Sequence, residues 1–283
     1  MVILSGRARL AGVMGWPVGH SRSPRLHGFW LEQHGIDGAY VPLAVPPARL
    51  GEALRALSAF GFAGVNLTLP HKEAALAHVD GLSETARRIG AVNTVTVKPD
   101  GRLMADNTDA FGFVEHLHAS APGWRGDAGP AAVLGAGGAA RAVAVSLLDA
   151  GVSELRLINR TPERAQALAD ALGRNMRVIL WKARAEALEG VSLLVNTTSL
   201  GMAGQPALDL DLARLPTGAV VYDLVYAPLE TALLAAARAR GNVAVDGLGM
   251  LLHQARPGFR AWFGVAPEVT PALRDFVMRD LGG

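Results

Sequence analysis

Short runs of apolar residues that predict strands alternate along the chain with longer stretches of helical periodicity. In the first hundred residues, predicted strands cover 8–13, 39–45 and 65–69, and predicted helices begin at Pro24, Ala48 and Pro70. Strand and helix alternate three times, which predicts an α/β layer structure. A Pro-Asp-Gly turn at 99–101 then joins strands at 94–97 and 102–104 into a predicted hairpin, so the parallel arrangement pauses there.

A segment rich in turn-forming residues, at 120–130, separates this first series from a second one and is interpreted as a domain junction. The second series has predicted strands at 131–134, 155–158, 177–180, 192–195, 220–225 and 243–245. The last helices, predicted from Leu248 and Pro271, have no further strands to cover. We therefore expect them to return to the first domain.

Composition narrows the class of protein. A chain of 283 residues, half of them hydrophobic, is long enough for two domains with buried cores. The 27 basic and 25 acidic residues leave a net charge of +2, which favours small-molecule partners over nucleic acid or a membrane surface. The absence of cysteine excludes disulfides and thiolate nucleophiles, the histidine spacing fits no metal site, and we expect a cytoplasmic protein without membrane spans.

The segment 135–140 reads Gly-Ala-Gly-Gly-Ala-Ala and follows an apolar run, the context in which G-x-G-x-x-A marks a dinucleotide-binding turn. Gly135, Gly137, Gly138 and Ala139 are small enough for the backbone to approach a pyrophosphate. Its charge then faces the free N–H groups and the positive dipole end of the following helix. The alternative is a glycine-rich turn that binds no ligand.

The end of the next predicted strand indicates which dinucleotide is bound. Folds that take NAD place an acid there to hold the ribose hydroxyls, whereas this chain has Asn159, Arg160 and Thr161, with Arg164 one turn later. A guanidinium forms charge-assisted hydrogen bonds with a 2′-phosphate, which a carboxylate would repel. The sequence therefore favours NADP, the alternative being that Thr161 caps the helix and Arg160 is a solvated surface charge.

Polar residues also lie where the third strand of the first series ends. Strand alternation places Asn66 and Thr68 on one face, and open α/β sheets hold ligands at the carboxyl ends of their strands. Lys72 falls in the first turn of the helix predicted from Pro70, where the positive dipole end disfavours its charged form and so suits proton transfer. The alternative is a helix lysine paired with an acid.

Two serines and an aspartate complete the candidates. Ser21 and Ser23 precede Pro24, so their hydroxyls and the free N–H groups of the helix start can hold a carboxylate. Ser23 is also an ordinary helix N-cap. Asp109 opens another predicted helix, and it becomes a catalytic candidate only where the fold brings it to Lys72.

Taken together and in order, nine segments resemble the shikimate dehydrogenase family along nearly the whole chain. They lie at 19–24, 66–72, 90–94, 106–109, 135–141, 159–161, 196–198, 222–226 and 246–254. The sequence departs from the family pattern at Trp16, where asparagine is usual, and at Ala105 and Ala110, where many members have glycine. These departures affect the expected shape of the pocket rather than the catalytic residues.

The resemblance implies an α/β fold with an N-terminal α/β substrate domain (1–105) completed by C-terminal helices (239–283). A Rossmann-type, doubly wound NADP-binding domain would span 106–238. The implied reaction is the reversible reduction of 3-dehydroshikimate to shikimate in aromatic amino-acid biosynthesis, by a monomer or homodimer. By the same resemblance Lys72 and Asp109 are the catalytic pair.

The resemblance also assigns binding roles. Residues implied to contact the substrate are Ser21, Ser23, Asn66, Thr68, Asn93, Tyr226 and Gln254. Residues implied to contact NADP are Gly135, Gly137, Gly138, Ala139, Asn159, Arg160, Thr161, Arg164, Thr197, Gly247 and Met250.

Three other functions remain to be weighed. A quinate/shikimate dehydrogenase, often NAD-dependent, is expected to carry an acid near position 159, where none stands. A catalytically idle NADP-binding regulator is expected to have lost Lys72 or Asp109, and both are present. Another two-domain NADP dehydrogenase, such as the methylenetetrahydrofolate enzymes, would not need Ser21, Ser23 and Gln254 together.

Overall fold

The computed structural model describes residues 3–173 and 175–279, whose strands form two six-stranded sheets. The strands are β1 (Arg9–Gly15), β2 (Gly38–Ala44), β3 (Phe62–Leu67), β4 (Gly81–Leu82), β5 (Thr94–Val97), β6 (Leu103–Asp106), β7 (Ala131–Leu134), β8 (Leu155–Asn159), β9 (Met176–Leu180), β10 (Leu193–Asn196), β11 (Val220–Asp223) and β12 (Val243–Val245). The α-helices are α1 (Ser23–Gln33), α2 (Leu50–Ala59), α3 (His71–Ala74), α4 (Glu84–Ile89), α5 (Asp109–Ser120), α6 (Gly138–Asp149), α7 (Pro162–Leu172), α8 (Ala232–Ala239), α9 (Leu248–Phe263) and α10 (Pro271–Met278).

One compact unit combines the chain up to Asp109 with Leu251–Arg279. Its sheet has the order β2-β1-β3-β5-β6-β4, with β1 parallel to β2 and β3, and β5 antiparallel to β3 and β6. The β5–β6 pair is the predicted hairpin, and this prediction is confirmed. The antiparallel pairing places the start of β5 beside the carboxyl end of β3, with Asn66 directly opposite Thr94.

The C-terminal helices return to this first unit, as the order of elements predicts. The indole Nε1 of Trp262 in α9 donates a hydrogen bond to the Val95 carbonyl oxygen at 3.0 Å. In the same unit, Arg25 of α1 donates to the Phe276 carbonyl oxygen of α10 at 2.7 Å and stacks over the Phe276 ring. Helix α9 therefore contacts the first sheet directly, and α10 packs on α1 within the same unit.

The second unit runs from Ala110 to Met250, and its sheet is parallel throughout, in the order β12-β11-β10-β7-β8-β9. The strand order reverses beside the first strand, β7, which is the pattern of a doubly wound, Rossmann-like sheet. The units divide at 109/110 and 250/251, four and twelve residues beyond the expected 105/106 and 238/239, so the turn-rich segment at 120–130 lies inside the second unit and is not the domain junction. The later second boundary follows from β12, which pairs with β11.

Some local expectations differ from the structure. The helix predicted from Pro70 is only α3, four residues long, followed by a short 3-10 turn. Strand β3 ends at Leu67, so the predicted alternation through Thr68 is wrong, and Leu69 is exposed. Helix α4 was missed because six residues carry too little periodicity, although Ser83 caps it and Gly90 ends it with φ of 69°.

No helix in the described part of the chain has the length and apolar character needed to cross a membrane.

Candidate active site

An ion pair between a half-buried lysine and a buried aspartate lies at the carboxyl edge of the first sheet. Lys72 follows β3 and Asp109 follows β6, and the Lys72 ammonium donates to Asp109 Oδ2 at 2.6 Å. The Asp109 side chain is 8% exposed and that of Lys72 is 20% exposed, so the lysine is the member of the pair that solvent or a ligand reaches more readily. The fold therefore brings together the two residues that the resemblance implies as catalytic. Their catalytic role stays a prediction, because a helix lysine paired with an acid was the stated alternative.

Asn93 fixes the other carboxylate oxygen of Asp109. The Asn93 amide Nδ2 donates to Asp109 Oδ1 at 2.8 Å and to Gln254 Oε1 at 3.3 Å. Its Oδ1 accepts from the Thr108 backbone N–H at 2.8 Å and from the Thr94 hydroxyl at 3.0 Å. Because a backbone N–H only donates and a carboxylate only accepts, these contacts determine which end of the amide is nitrogen. Every hydrogen-bonding position of this amide is thus used within the protein.

Asn66 lies one strand away and is held in the same manner. Its Nδ2 donates to the Asn93 carbonyl oxygen at 3.0 Å and to the Thr94 hydroxyl at 3.1 Å. Its Oδ1 accepts from the phenolic hydroxyl of Tyr40 at 2.6 Å. Asn66 and Tyr40 are both buried. The two predicted amides are therefore joined through Thr94.

Sequence reasoning missed Tyr40, Thr94 and Thr108 as members of this cluster. Each hydroxyl takes part in the network around the predicted amides, and all three residues are buried. A signal was available for Tyr40, because a tyrosine at an inward position of a strand requires a partner for its hydroxyl. Nothing in the sequence names that partner, since Asn66 lies 26 residues further along the chain.

The structure changes the interpretation of the two serines before α1. The N-cap of α1 is Arg22, no side chain caps the helix, and Ser23 is its first residue, so the expectation that Ser23 is an N-cap is wrong. Ser21 Oγ instead accepts from the Ser23 backbone N–H at 3.3 Å. Ser23 is buried and Ser21 is half-buried. Thr68 is half-buried beyond the end of β3, where its N–H donates to the Met14 carbonyl oxygen.

The glycine turn of the second unit has the geometry that a dinucleotide requires. Gly135 directly follows β7 with φ of 113°, and a Cβ there would lie 2.3 Å from Thr197 Oγ1. A Cβ on Gly137 would meet no heavy atom within 4 Å, and no side chain caps α6, which starts at Gly138. The first N–H groups of α6 are therefore not used by a side-chain cap, and the space beside Gly137 is open, which suits an anionic pyrophosphate.

Residues at the end of β8 are positioned beside that turn. The Gly135 N–H donates to the Ile158 carbonyl oxygen, and Asn159 Nδ2 donates to the Thr161 carbonyl oxygen at 2.8 Å. Thr161 is the N-cap of α7 but makes no side-chain cap hydrogen bond. Arg160, Thr161 and Arg164 are exposed, so both guanidinium groups are accessible to a phosphate.

A buried carboxylate ties the ends of β10 and β11 together. Asp223 accepts from Asn196 Nδ2 at 2.9 Å, from the Val225 N–H at 3.1 Å and from the Thr231 hydroxyl at 2.7 Å. Burial raises the pKa of the Asp223 carboxyl, against the smaller lowering effect of these hydrogen bonds. Next to Asn196, the Thr197 hydroxyl donates to the Leu134 carbonyl oxygen at 2.6 Å, which holds this predicted NADP contact below the glycine turn.

Four predicted residues remain, all in the second unit, and one of them, Ala139, is half-buried in the first turn of α6. A Cβ on Gly247 would lie 2.1 Å from the Leu224 carbonyl oxygen, so this position needs glycine for close backbone packing. Met250 is 8% exposed and packs in the apolar core around β7. Contacts with a nicotinamide at Gly247 and Met250, and with substrate at Tyr226, stay predictions.

Two family models match the sequence. One describes a shikimate dehydrogenase substrate binding domain and matches residues 13–95. The other describes shikimate / quinate 5-dehydrogenase and matches residues 127–202. The two matches follow the order of the two sheets along the chain.

Full-length relatives agree with the family models. A curated protein from Rhodospirillum rubrum named Shikimate dehydrogenase (NADP(+)) is 64% identical over 280 residues, covering 98% of this chain and 99% of the relative. The solved Shikimate 5-dehydrogenase from Thermus thermophilus, in complex with NADP(H) and shikimate, has a TM-score of 0.85 at 43% identity, over 96% of this chain and 99% of that one. A quinate dehydrogenase from Corynebacterium glutamicum, in complex with NAD, has a TM-score of 0.89 at 32% identity, over 96% and 99% of the chains. By its identity to relatives over nearly the full length, by two matching family models and by fold, the chain belongs to the shikimate dehydrogenase family.

Proposed function

We propose that this chain catalyses the reversible, NADP-dependent reduction of 3-dehydroshikimate to shikimate. The observation that carries the proposal is the Lys72–Asp109 pair, in which Asn93 fixes the carboxylate from the other side. The 64% identical relative from Rhodospirillum rubrum carries the same activity in its name.

The proposed chemistry uses Lys72 as the proton donor. Bound NADPH supplies the hydride for reduction, and NADP takes it up in the reverse direction. Negative charge then develops on the substrate oxygen, and a donor within hydrogen-bond reach must neutralise it. In our proposal the Lys72 ammonium gives its proton to that oxygen, and Asp109 holds the amine in place and stabilises its charged form.

Substrate recognition would use the side chains around this pair. We assign the carboxylate of the substrate to Ser21 and Ser23, and its ring hydroxyls to Asn66, Thr68 and the Asn93–Gln254 pair. The Asn93 contacts refine this assignment. Because all hydrogen-bonding positions of the Asn93 amide are used within the protein, Asn93 would affect the substrate through Asp109 and Gln254. We therefore propose Asn93 as a group that positions both of these residues.

Cofactor binding would use the second unit. The uncapped start of α6 and the turn at Gly135 would bind the pyrophosphate, and Arg160 with Arg164 would bind the 2′-phosphate of NADP. Domain roles follow in the same proposal, with the substrate bound by the first unit and the nucleotide by the second. The substrate-binding domain model, matched at 13–95, supports this division.

A second candidate is quinate oxidation with NAD, which the fold similarity to the Corynebacterium glutamicum quinate dehydrogenase favours. Against it, Asn159 and Arg160 stand where an NAD-specific acid is expected. One assay separates the two, namely initial rates of reduced-cofactor formation with shikimate or quinate, each offered NADP or NAD. We expect the highest kcat/KM for shikimate with NADP. A preference for quinate with NAD would support the second candidate, and no turnover of shikimate would refute the proposal.

A further inference from the structure

Tyr40 lies behind the candidate substrate site and contacts residues assigned to both ends of the substrate. Its hydroxyl donates to Asn66 Oδ1 at 2.6 Å, and the Ser23 hydroxyl donates to the phenolic oxygen. Ser23 is a proposed carboxylate contact and Asn66 a proposed ring-hydroxyl contact. One buried phenol therefore joins two binding groups that are far apart in sequence, at positions 23 and 66.

The direction of these hydrogen bonds follows from the backbone. Asn66 Nδ2 faces the Asn93 carbonyl oxygen, which only accepts, so Oδ1 is the end of the amide that faces Tyr40. Tyr40 must then donate its single proton to Asn66. Burial raises the pKa of Tyr40 well above its ordinary value, against a lowering by the Ser23 hydrogen bond, so the phenol keeps this proton.

Asn66 has one hydrogen-bonding position left for a ligand. Both Nδ2 protons are used, by the Asn93 carbonyl and the Thr94 hydroxyl, and Oδ1 has accepted one bond from Tyr40. An amide oxygen has two lone pairs, so in this account the second one, which also lies within reach of the buried His27 ring, accepts from a substrate hydroxyl. The position of Oδ1 therefore determines how well Asn66 recognises that hydroxyl.

The ring of Tyr40 is itself fixed. His27 stacks on it with ring centroids 3.9 Å apart and an interplanar angle of 2°, and Trp262 lies 6.0 Å away. His27 is fully buried. The phenol thus has little freedom to move, which is the property required of a group that orients another side chain.

We propose that Tyr40 is a positioning residue for shikimate binding, acting through the hydrogen bond that holds Asn66 Oδ1. The proposal rests on the proposed function, because shikimate is the ligand. Tyr40 does not touch the reacting atoms in this account, so it affects substrate affinity rather than proton transfer.

Tyr40→Phe tests the proposal, since it removes the hydroxyl and keeps the ring that stacks on His27. Losing the donor to a buried acceptor is expected to weaken shikimate binding on the order of tenfold, with kcat and the KM for NADP changed by less than about threefold. Tyr222→Phe is the matched control, because no hydrogen-bond partner is found for the buried Tyr222 hydroxyl in the described part of the chain. Shikimate dissociation constants from calorimetry and steady-state kinetics give these values.

The parent protein is first titrated with shikimate and assayed for turnover. If it neither binds nor oxidises shikimate, the proposed function fails, and this result is distinct from a failure of the Tyr40 proposal. With parental binding established, unchanged affinity in Tyr40→Phe would overturn the inference. A double-mutant cycle with Asn66→Ala adds a second criterion. If Tyr40 acts through Asn66, its substitution has little further effect on affinity once Asn66 is removed, whereas fully additive effects would contradict the proposal.

Thr94 offers a second route should Tyr40→Phe fold poorly, which its thermal midpoint would reveal. Because the Thr94 hydroxyl also donates to Asn93 Oδ1, an effect through Asn66 is recognised as a change in the KM for shikimate at unchanged kcat. The Thr94 hydroxyl is the side-chain contact on the nitrogen end of Asn66. Thr94→Val is expected to raise the KM for shikimate severalfold, and Thr94→Ser, which keeps the hydroxyl, to restore it. Equal KM values for both variants would argue against orientation of Asn66 as the determinant of affinity.

Discussion

The strand ends of the two sheets present their chemistry differently. At the first sheet, the candidate binding groups are side chains. Asn66, Asn93 and the Lys72–Asp109 pair are buried or half-buried there and are hydrogen-bonded to one another. At the second sheet, the candidate binding groups are the backbone of the glycine turn and the exposed Arg160 side chain. A small polar substrate with several hydroxyls needs many directed side chains, whereas a pyrophosphate needs mainly N–H groups and positive charge.

Two buried carboxylates sharpen this comparison. Asp109 is bonded by an ammonium group and an amide, and Asp223 by an amide, a backbone N–H and a hydroxyl, all of them neutral. Only the first arrangement includes a partner that can exchange a proton with a substrate. The difference teaches that burial at a strand end does not by itself make a carboxylate a catalytic candidate, whereas an ionisable partner such as Lys72 does.

The largest effect is expected for Lys72→Ala, which removes the proposed proton donor. We expect kcat to fall on the order of 10²–10⁴-fold, with shikimate and NADP still bound. Lys98→Ala, at an exposed position in the same unit, is the matched control and should leave kcat unchanged. Steady-state rates together with ligand affinities provide the measurement, and a near-normal kcat in Lys72→Ala would remove Lys72 as the acid.

Arg160→Ala tests the charge-based recognition proposed for the second sheet. Loss of charge-assisted hydrogen bonds to the 2′-phosphate, at about 1.5–3 kcal/mol, is expected to weaken NADP roughly 10- to 100-fold. NAD lacks that phosphate, so its affinity should change little. Arg177→Ala, at another exposed arginine of the same unit, controls for a general loss of charge. An equal loss for both cofactors would contradict the role of Arg160.

The burial of His27 beside the first site predicts that the stability of the protein depends on pH. Burial lowers the pKa of His27 to about 3 from a usual 6.5, against a smaller raising effect of the Asn66 side chain. Between these two pH values His27 is therefore protonated in the unfolded chain and neutral in the folded chain. The contribution of His27 to the free energy of unfolding is fully present above pH 6.5. It decreases as the pH falls, and the loss reaches about 2 kcal/mol at pH 5.

Urea unfolding at pH 7.5 and pH 5 measures this loss. Carboxylates contribute to it as well, so the informative quantity is the difference between the parent and His27→Gln, whose loss should be smaller by about 2 kcal/mol. His118→Gln, at an exposed histidine, should behave like the parent. An identical pH dependence in His27→Gln would show that His27 is not buried as described.

The smallest effect is expected for Asp223→Asn, which removes charge while keeping a similar shape. The Thr231 hydroxyl can rotate to accept from the new amide, so the free energy of unfolding should change by about 1 kcal/mol or less. Asp223→Ala leaves one Asn196 amide proton, the Val225 N–H and the Thr231 hydroxyl without the acceptor they share, and should cost on the order of 2–3 kcal/mol. Similar losses in both variants would mean that the charge itself is needed.

The sequence was sufficient for the second sheet and much less so for the first site. The glycine turn, the strand at Ala131–Leu134 and helix α7 with Pro162 at its start are local patterns, and the structure has them where they were expected. Local patterns suffice because a nucleotide turn is built from consecutive residues.

The first site could not be predicted from local patterns in the same way. The contact between Lys72 and Asp109 spans 37 residues, and that between Asn93 and Gln254 spans 161. Only the family resemblance pointed to these partners. Thr94 was not predicted because only the antiparallel pairing of β3 and β5 brings it opposite Asn66, and Tyr40 was not predicted because its contact with Asn66 reaches 26 residues along the chain.

One measurement tests most directly the claim that Asp109 works in catalysis and Asp223 in structure. The same substitution, aspartate to asparagine, is made at each position, and kcat for shikimate oxidation with NADP is compared. We predict a fall in kcat on the order of a hundredfold or more for Asp109→Asn, because the amide cannot stabilise the Lys72 charge, and a kcat within about threefold of the parent for Asp223→Asn. Comparable losses at both positions, or the larger loss at Asp223, would contradict the account.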